Sequence, residues 1–91
     1  MAKMEQKATQ VTEVARKVDG VRGVHKVRVR RYGRLYQADL HIHVDSSLSI
    51  VAGHDLGHKV QETVVGAGIE VSDVVVHVEP WDPDSSECTS R

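Results

Sequence analysis

Apolar side chains recur at steps of three and four through Met4, Ala8, Val11, Val14, Ala15 and Val18, which predicts one amphipathic helix. Asp19-Gly20 ends it, with Gly20 free to take the left-handed cap, and Val21-Arg22-Gly23 is a short connector. The period then drops to two. Val24 to Tyr32 reads as a strand, with Val27 and Val29 on one side and Arg28 and Arg30 on the other. Tyr32-Gly33-Arg34 turns the chain back into Leu35 to Asp45, the clearest strand. Its face of Tyr36, Ala38, Leu40, Ile42 and Val44 alternates with Gln37, Asp39, His41, His43 and Asp45. Two alternating strands joined at a glycine turn predict a hairpin.

Ser49 is the expected N-cap of a second helix. Ala52, Leu56, Val60, Val64 and Ala67 give its apolar stripe, and His54, His58 and Gln61 share a neighbouring face. Gly53 and Gly57 weaken this helix by about 1 kcal/mol each relative to alanine. Gly66-Ala67-Gly68 ends it, and Ile69 to Glu79 predicts a third strand with Val74, Val76 and Val78 buried and Asp73, His77 and Glu79 opposite. The expected fold is α+β: an αββαβ two-layer open sandwich with helices on one face of a small sheet, resembling a ferredoxin-like fold that lacks its first strand. The expected domain spans 1–80, and 81–91 is expected to be a flexible tail.

Composition narrows the function. The 91 residues make one small domain with a net charge of −1, which argues against a general nucleic-acid binder. The run from Arg28 to Arg34 is better read as a solvated strand edge than as a phosphate site, because no aromatic pair is present to stack bases. The lone Cys88 excludes an internal disulfide and a paired-cysteine metal hook. No nucleophile elbow or phosphate loop is present, so an enzyme is not expected. No apolar run is long enough to span a bilayer, and no signal peptide interrupts the expectation of a cytoplasmic setting.

The six histidines carry the chemistry. Neutral imidazole is the commonest protein ligand for borderline-soft metals, often completed by carboxylate. His77 and Glu79 project to one side of their strand, as do His41 and His43 on the hairpin, so imidazoles and a carboxylate converge if the strands share a sheet. His54 and His58 have the i, i+4 spacing that lets two helical histidines share an ion. Taken singly, His43 and His58 read as solvated side chains. Alternation puts His25 with Val27 and Val29 on the buried side; a bulge at the start of the strand would re-aim it.

An ordered set of segments is familiar: Gly20-Val21-Arg22-Gly23-Val24-His25-Lys26-Val27-Arg28-Val29-Arg30, Gly33, Asp39-Leu40-His41-Ile42-His43-Val44-Asp45, Ser47-Leu48-Ser49-Ile50-Val51-Ala52-Gly53-His54 and Val75-Val76-His77-Val78-Glu79-Pro80. The set resembles the cytoplasmic C-terminal domain of the cation diffusion facilitator family, proton-coupled exporters of zinc and related divalent metals. The resemblance covers roughly residues 5–80. It implies a V-shaped homodimer that binds metal. By motif position it assigns ligand roles to His25, His41, His54, His77 and Glu79, with Glu79 standing where many relatives have Asp. His43 and His58 have no counterpart, and His43→Ala is expected to be nearly silent.

The resemblance further implies a metal-sensing and dimerisation module whose partners are a second copy and the transmembrane domain of a transporter, with no membrane insertion of its own. Zinc is the expected ion; iron, manganese, cobalt and nickel accept similar ligands. The rival reading is a free-standing metallochaperone of the same fold family, although such carriers usually use cysteine pairs.

Overall fold

The computed structural model describes residues 2–81. Five elements follow in the expected order: α1 (Ala2–Arg16), β1 (Gly23–Tyr32), β2 (Leu35–Asp45), α2 (Ile50–Val65) and β3 (Val71–Trp81). The sheet order is β1-β2-β3, with β1 antiparallel to β2 and β3 parallel to β2. The parallel pair needs a crossover, which α2 supplies. α1 lies against β1 and α2 against β3, so both helices cover one face and the other is left open. Among the described residues no helix is long and apolar enough to cross a membrane.

Local chemistry accounts for the boundaries. Gly20 adopts φ +100° after α1, a conformation that costs glycine little. Gly33 has φ +67° at the first central position of the hairpin turn, where a type II′ connection requires it. Ser49 Oγ accepts the Ala52 N–H at 3.0 Å, the expected cap. Asp45 Oδ1 accepts both the Ser47 N–H at 2.9 Å and the Ser47 hydroxyl at 2.8 Å. These bonds hold the chain as it leaves β2, and they lower the pKa of the Asp45 carboxyl.

The core sits between the helices and the inner face of β2. Leu40 and Ile42 are fully buried there, against Val11 and Ala15 of α1 and Val60 and Val64 of α2. Each large apolar side chain contributes about 1.5–3 kcal/mol by leaving water. Central β2 is flanked on both sides and so carries the largest share of this burial.

Three details depart from the pattern. β3 runs on through Pro80 and Trp81, which pair with Val44 and Asp45. Proline is tolerated because β3 is an edge strand, and the Arg22 guanidinium lies 4.7 Å from the Trp81 ring centroid. The rest of the expected tail lies outside the described residues. The register shifts where Tyr36 pairs with Val71 but Gln37 with Asp73, so Val71 and Val74 are both buried. The buried positions of α2 are Gly53, Gly57, Val60 and Val64, while Ala52 and Leu56 are only half-buried and Ala67 lies exposed beyond the helix.

The glycines therefore have a packing role. A Cβ on Gly57 would sit 3.0 Å from Val78 Cγ2, while one on Gly53 would meet Val78 Cγ1 at 3.8 Å. Gly53→Ala should stabilise by about 0.5–1 kcal/mol, since helix propensity improves without a clash. Its melting midpoint should rise by about 2–8 °C. Gly57→Ala should show little or none of this gain, because Val78 must move. Equal rises in the two melts would contradict this account of the helix–sheet contact.

Candidate metal centre on the open sheet face

The bulge exists. His25 pairs with His41, but the next pair is Arg28 with Asp39, so β1 spends three steps where β2 spends two. Lys26 absorbs the extra residue at φ +54°. Before it, His25 faces the open side; after it, Val27 and Val29 pack toward the helices. The arginine run is divided as well. Arg28 and Arg30 share the open face, where Arg30 meets Asp39 at 3.4 Å, while Arg31 lies over the Tyr36 ring.

Register then builds the site. His25, His41 and His77 form one row across the sheet, and Gly23, His43 and Glu79 form the next. Strands lie about 4.8 Å apart, so a side chain on β3 must cross two such spaces to reach β1. Glu79 does so. Its Oε2 lies 2.7 Å from His41 Nδ1, and its Oε1 lies 3.2 Å from His43 Nε2 and 3.3 Å from His25 Nε2. The length of the glutamate side chain supplies this reach. His77 does not touch the carboxylate but stacks on His41, with ring centroids 4.5 Å apart and planes 15° from parallel.

Burial raises the pKa of the Glu79 carboxyl, but the hydrogen bonds and charge of His41 and His25 outweigh it and hold the group below its ordinary 4.5. The carboxylate is therefore ionised at neutral pH and can only accept, so the imidazole nitrogens facing it act as N–H donors. These bonds hold three imidazoles around one carboxylate. They stabilise the fold above about pH 4.5 and are lost as pH falls through the lower folded value.

Donor chemistry fits a divalent ion. The ligand atoms of His25, His43 and Glu79 lie within 4.8 Å of one another, and imidazole nitrogen with carboxylate oxygen suits zinc and its neighbours. His43 is the residue that sequence reasoning discounted. It is 6% exposed, and its neighbour in the row is Gly23, which leaves it room. Its place opposite Glu79 on one sheet face was the available signal. His54 is not brought to this cluster. It lies on α2, which packs against Val76 and Val78, the side of β3 opposite His77 and Glu79.

Comparison with known proteins bears on the fold and the family. A MamM CTD variant superposes with TM-score 0.85 at 29% identity, covering 90% of this chain and 100% of that one. A MamM CTD nickel form gives TM-score 0.82 at 30% identity, covering 87% and 100%. Metal tolerance protein 2 of Oryza sativa is 34% identical over 73 residues, which are 80% of this chain and 19% of the relative. The manganese efflux system protein MneP of Bacillus subtilis is 27% identical over 63 residues, 69% of this chain and 21% of the relative. This chain thus spans about a fifth of these transport proteins. The family model described as cation efflux protein, cytoplasmic domain, matches residues 4–81. With fold, sequence and family match in accord, the chain belongs to the cytoplasmic domains of cation efflux proteins, a family of transport proteins rather than enzymes.

Proposed function

We propose that this domain binds a divalent ion, zinc foremost, on its open sheet face, and that binding regulates the transporter to which such domains belong. The observation that carries this reading is the single carboxylate of Glu79 held by three imidazoles from two other strands. The proposed shell is His25, His41, His43 and Glu79, with His77 beside it. An ion there would join all three strands, so binding would favour the domain geometry that holds them together. We also propose that the domain works as a homodimer, as the family's other members suggest. Nickel and manganese, named for two relatives, are the closest competing ions. A separate carrier role has less support, since the histidine and carboxylate donors belong to an efflux-protein domain.

Calorimetric zinc titration, with light scattering on the same sample, tests this. The expected result is saturable binding by a dimer-mass species. A monomer throughout would remove the dimer, and absence of binding would remove the metal reading. Affinity should also fall steeply from neutral pH to about pH 5.5 as protons compete for imidazole. Glu79 stays ionised over that interval, since its pKa lies below 4.5. Affinity that stays flat down to pH 5 would show that imidazoles are not the ligands.

A further inference from the structure

We propose that the tip of the β1–β2 hairpin is a docking surface for anionic phospholipid headgroups, where Arg31 and Arg34 meet headgroup oxygens while Tyr32 and Leu35 settle at headgroup level. Charge is spread unevenly along this chain. The stretch from Lys26 to Arg34 holds five of the twelve Lys and Arg residues and none of the thirteen Asp and Glu. A protein of net charge −1 thus carries one concentrated cationic region. Protection of a strand edge accounts for charges along β1, but not for what lies among them at the turn. Tyr32 pairs with Leu35 across the hairpin, and the two are 70% and 42% exposed. An apolar pair flanked by arginines is left in water where the chain reverses.

The arginines are held differently. Arg30 meets Asp39. Arg31 Nε donates to the Gly33 carbonyl at 3.2 Å, which fixes its guanidinium beside the turn. Among the described residues Arg28 and Arg34 make no ion pair. A Cβ on Gly33 would meet nothing within 4 Å, so the tip projects into open space. That shape selects the partner: a protruding knob has no groove to enclose a peptide, but it suits a flat surface of many acceptors. Guanidinium forks match phosphate and carboxylate oxygens, and tyrosine suits a boundary that is apolar on one side and wet on the other. Membership among the cytoplasmic domains of cation efflux proteins brings a membrane surface within reach. Each cation brought to an anionic leaflet strengthens binding about fivefold. Leu35 and His41 stand six residues apart on β2, about 20 Å at the rise of a strand, so docking leaves the sheet-face cluster open.

Co-sedimentation of the purified chain with vesicles of equimolar phosphatidylserine and phosphatidylcholine, against vesicles of phosphatidylcholine alone, tests the proposal. The chain should bind the anionic vesicles, ignore the neutral ones, and dissociate as salt shortens the screening length from about 10 Å at 0.1 M to about 3 Å at 1 M. Arg31→Gln combined with Arg34→Gln should weaken binding about 25-fold. Lys17→Gln combined with Lys59→Gln removes the same charge from exposed positions outside the hairpin and should leave binding within about twofold of the parent. Tyr32→Ala combined with Leu35→Ala keeps every charge and should still lose affinity several-fold. Far-UV circular dichroism matching the parent checks that each variant is folded. Four outcomes overturn the proposal: no preference for the anionic vesicles, equal losses in the two charge variants, parental affinity in the Tyr32 and Leu35 variant, or retention on immobilised polyglutamate equal to that on vesicles, which would assign the tip to an acidic protein.

Discussion

Glu79→Gln should weaken zinc binding about 100-fold or more. Removing a residue that merely supports a ligand typically costs about 10–100-fold, and Glu79 has a more direct role: both of its oxygens are engaged by imidazoles. The amide keeps the volume and removes the charge. It also presents an NH₂ group, which cannot accept a bond, to part of a donor set arranged around an anion. His41→Ala should follow closely, since it makes the shortest of the three contacts, at 2.7 Å. His43→Ala should also be damaging, contrary to the near-silence that family alignment implied. His77→Ala should be milder, because His77 stacks on His41 rather than touching the carboxylate. Competition titrations against a zinc-sensitive dye give the order. A Glu79→Gln protein with parental affinity, or a silent His43→Ala, would move the centre away from these residues.

Leu40→Ala should have the largest effect on folding. Leu40 is fully buried on the central strand, and truncations of this kind cost about 2–5 kcal/mol. A domain of this size has about 5–15 kcal/mol in all. The urea midpoint should therefore fall by about 1–3 M. Val75→Ala is the natural control: it lies on the open face at 49% exposure, where a substitution usually changes stability by less than about 0.5 kcal/mol. Similar midpoints for the two variants would mean that the open face is covered in solution.

Much of this architecture could be read along the chain because its periods are clean. β2 was expected at Leu35 to Asp45 and is found there. Ser49, Gly20 and Gly33 act as cap, stop and turn for reasons intrinsic to those residue types. The failures lie where tertiary context overrides local preference. Nothing about lysine announces a left-handed φ, so the Lys26 bulge could be suspected but not located. Gly53 and Gly57 look like flaws in a helix until Val78 is placed beside them. Proline argues against a strand unless the strand is known to be an edge, which is why Pro80 and Trp81 read as tail. For the site, shared sheet faces were enough to group His41, His43, His77 and Glu79. They could not say how far the glutamate reaches across the sheet.

The bulge at Lys26 gives β1 two alternations of opposite parity. Downstream of it, odd-numbered Val27 and Val29 point inward; upstream, odd-numbered His25 points outward. One strand thus serves two masters without compromise, since the residues that hold the hydrophobic layer and the residue that meets Glu79 answer to separate frames. Substitutions at Val27 or Val29 act on folding and those at His25 on chemistry, with a single lysine as the point of division. Straightening the strand at unchanged length would merge the frames and turn the imidazole into the core, whereas deleting Lys26 would leave His25 opposite His41 and Arg28 opposite Asp39 in regular alternation, with the imidazole still on the open face.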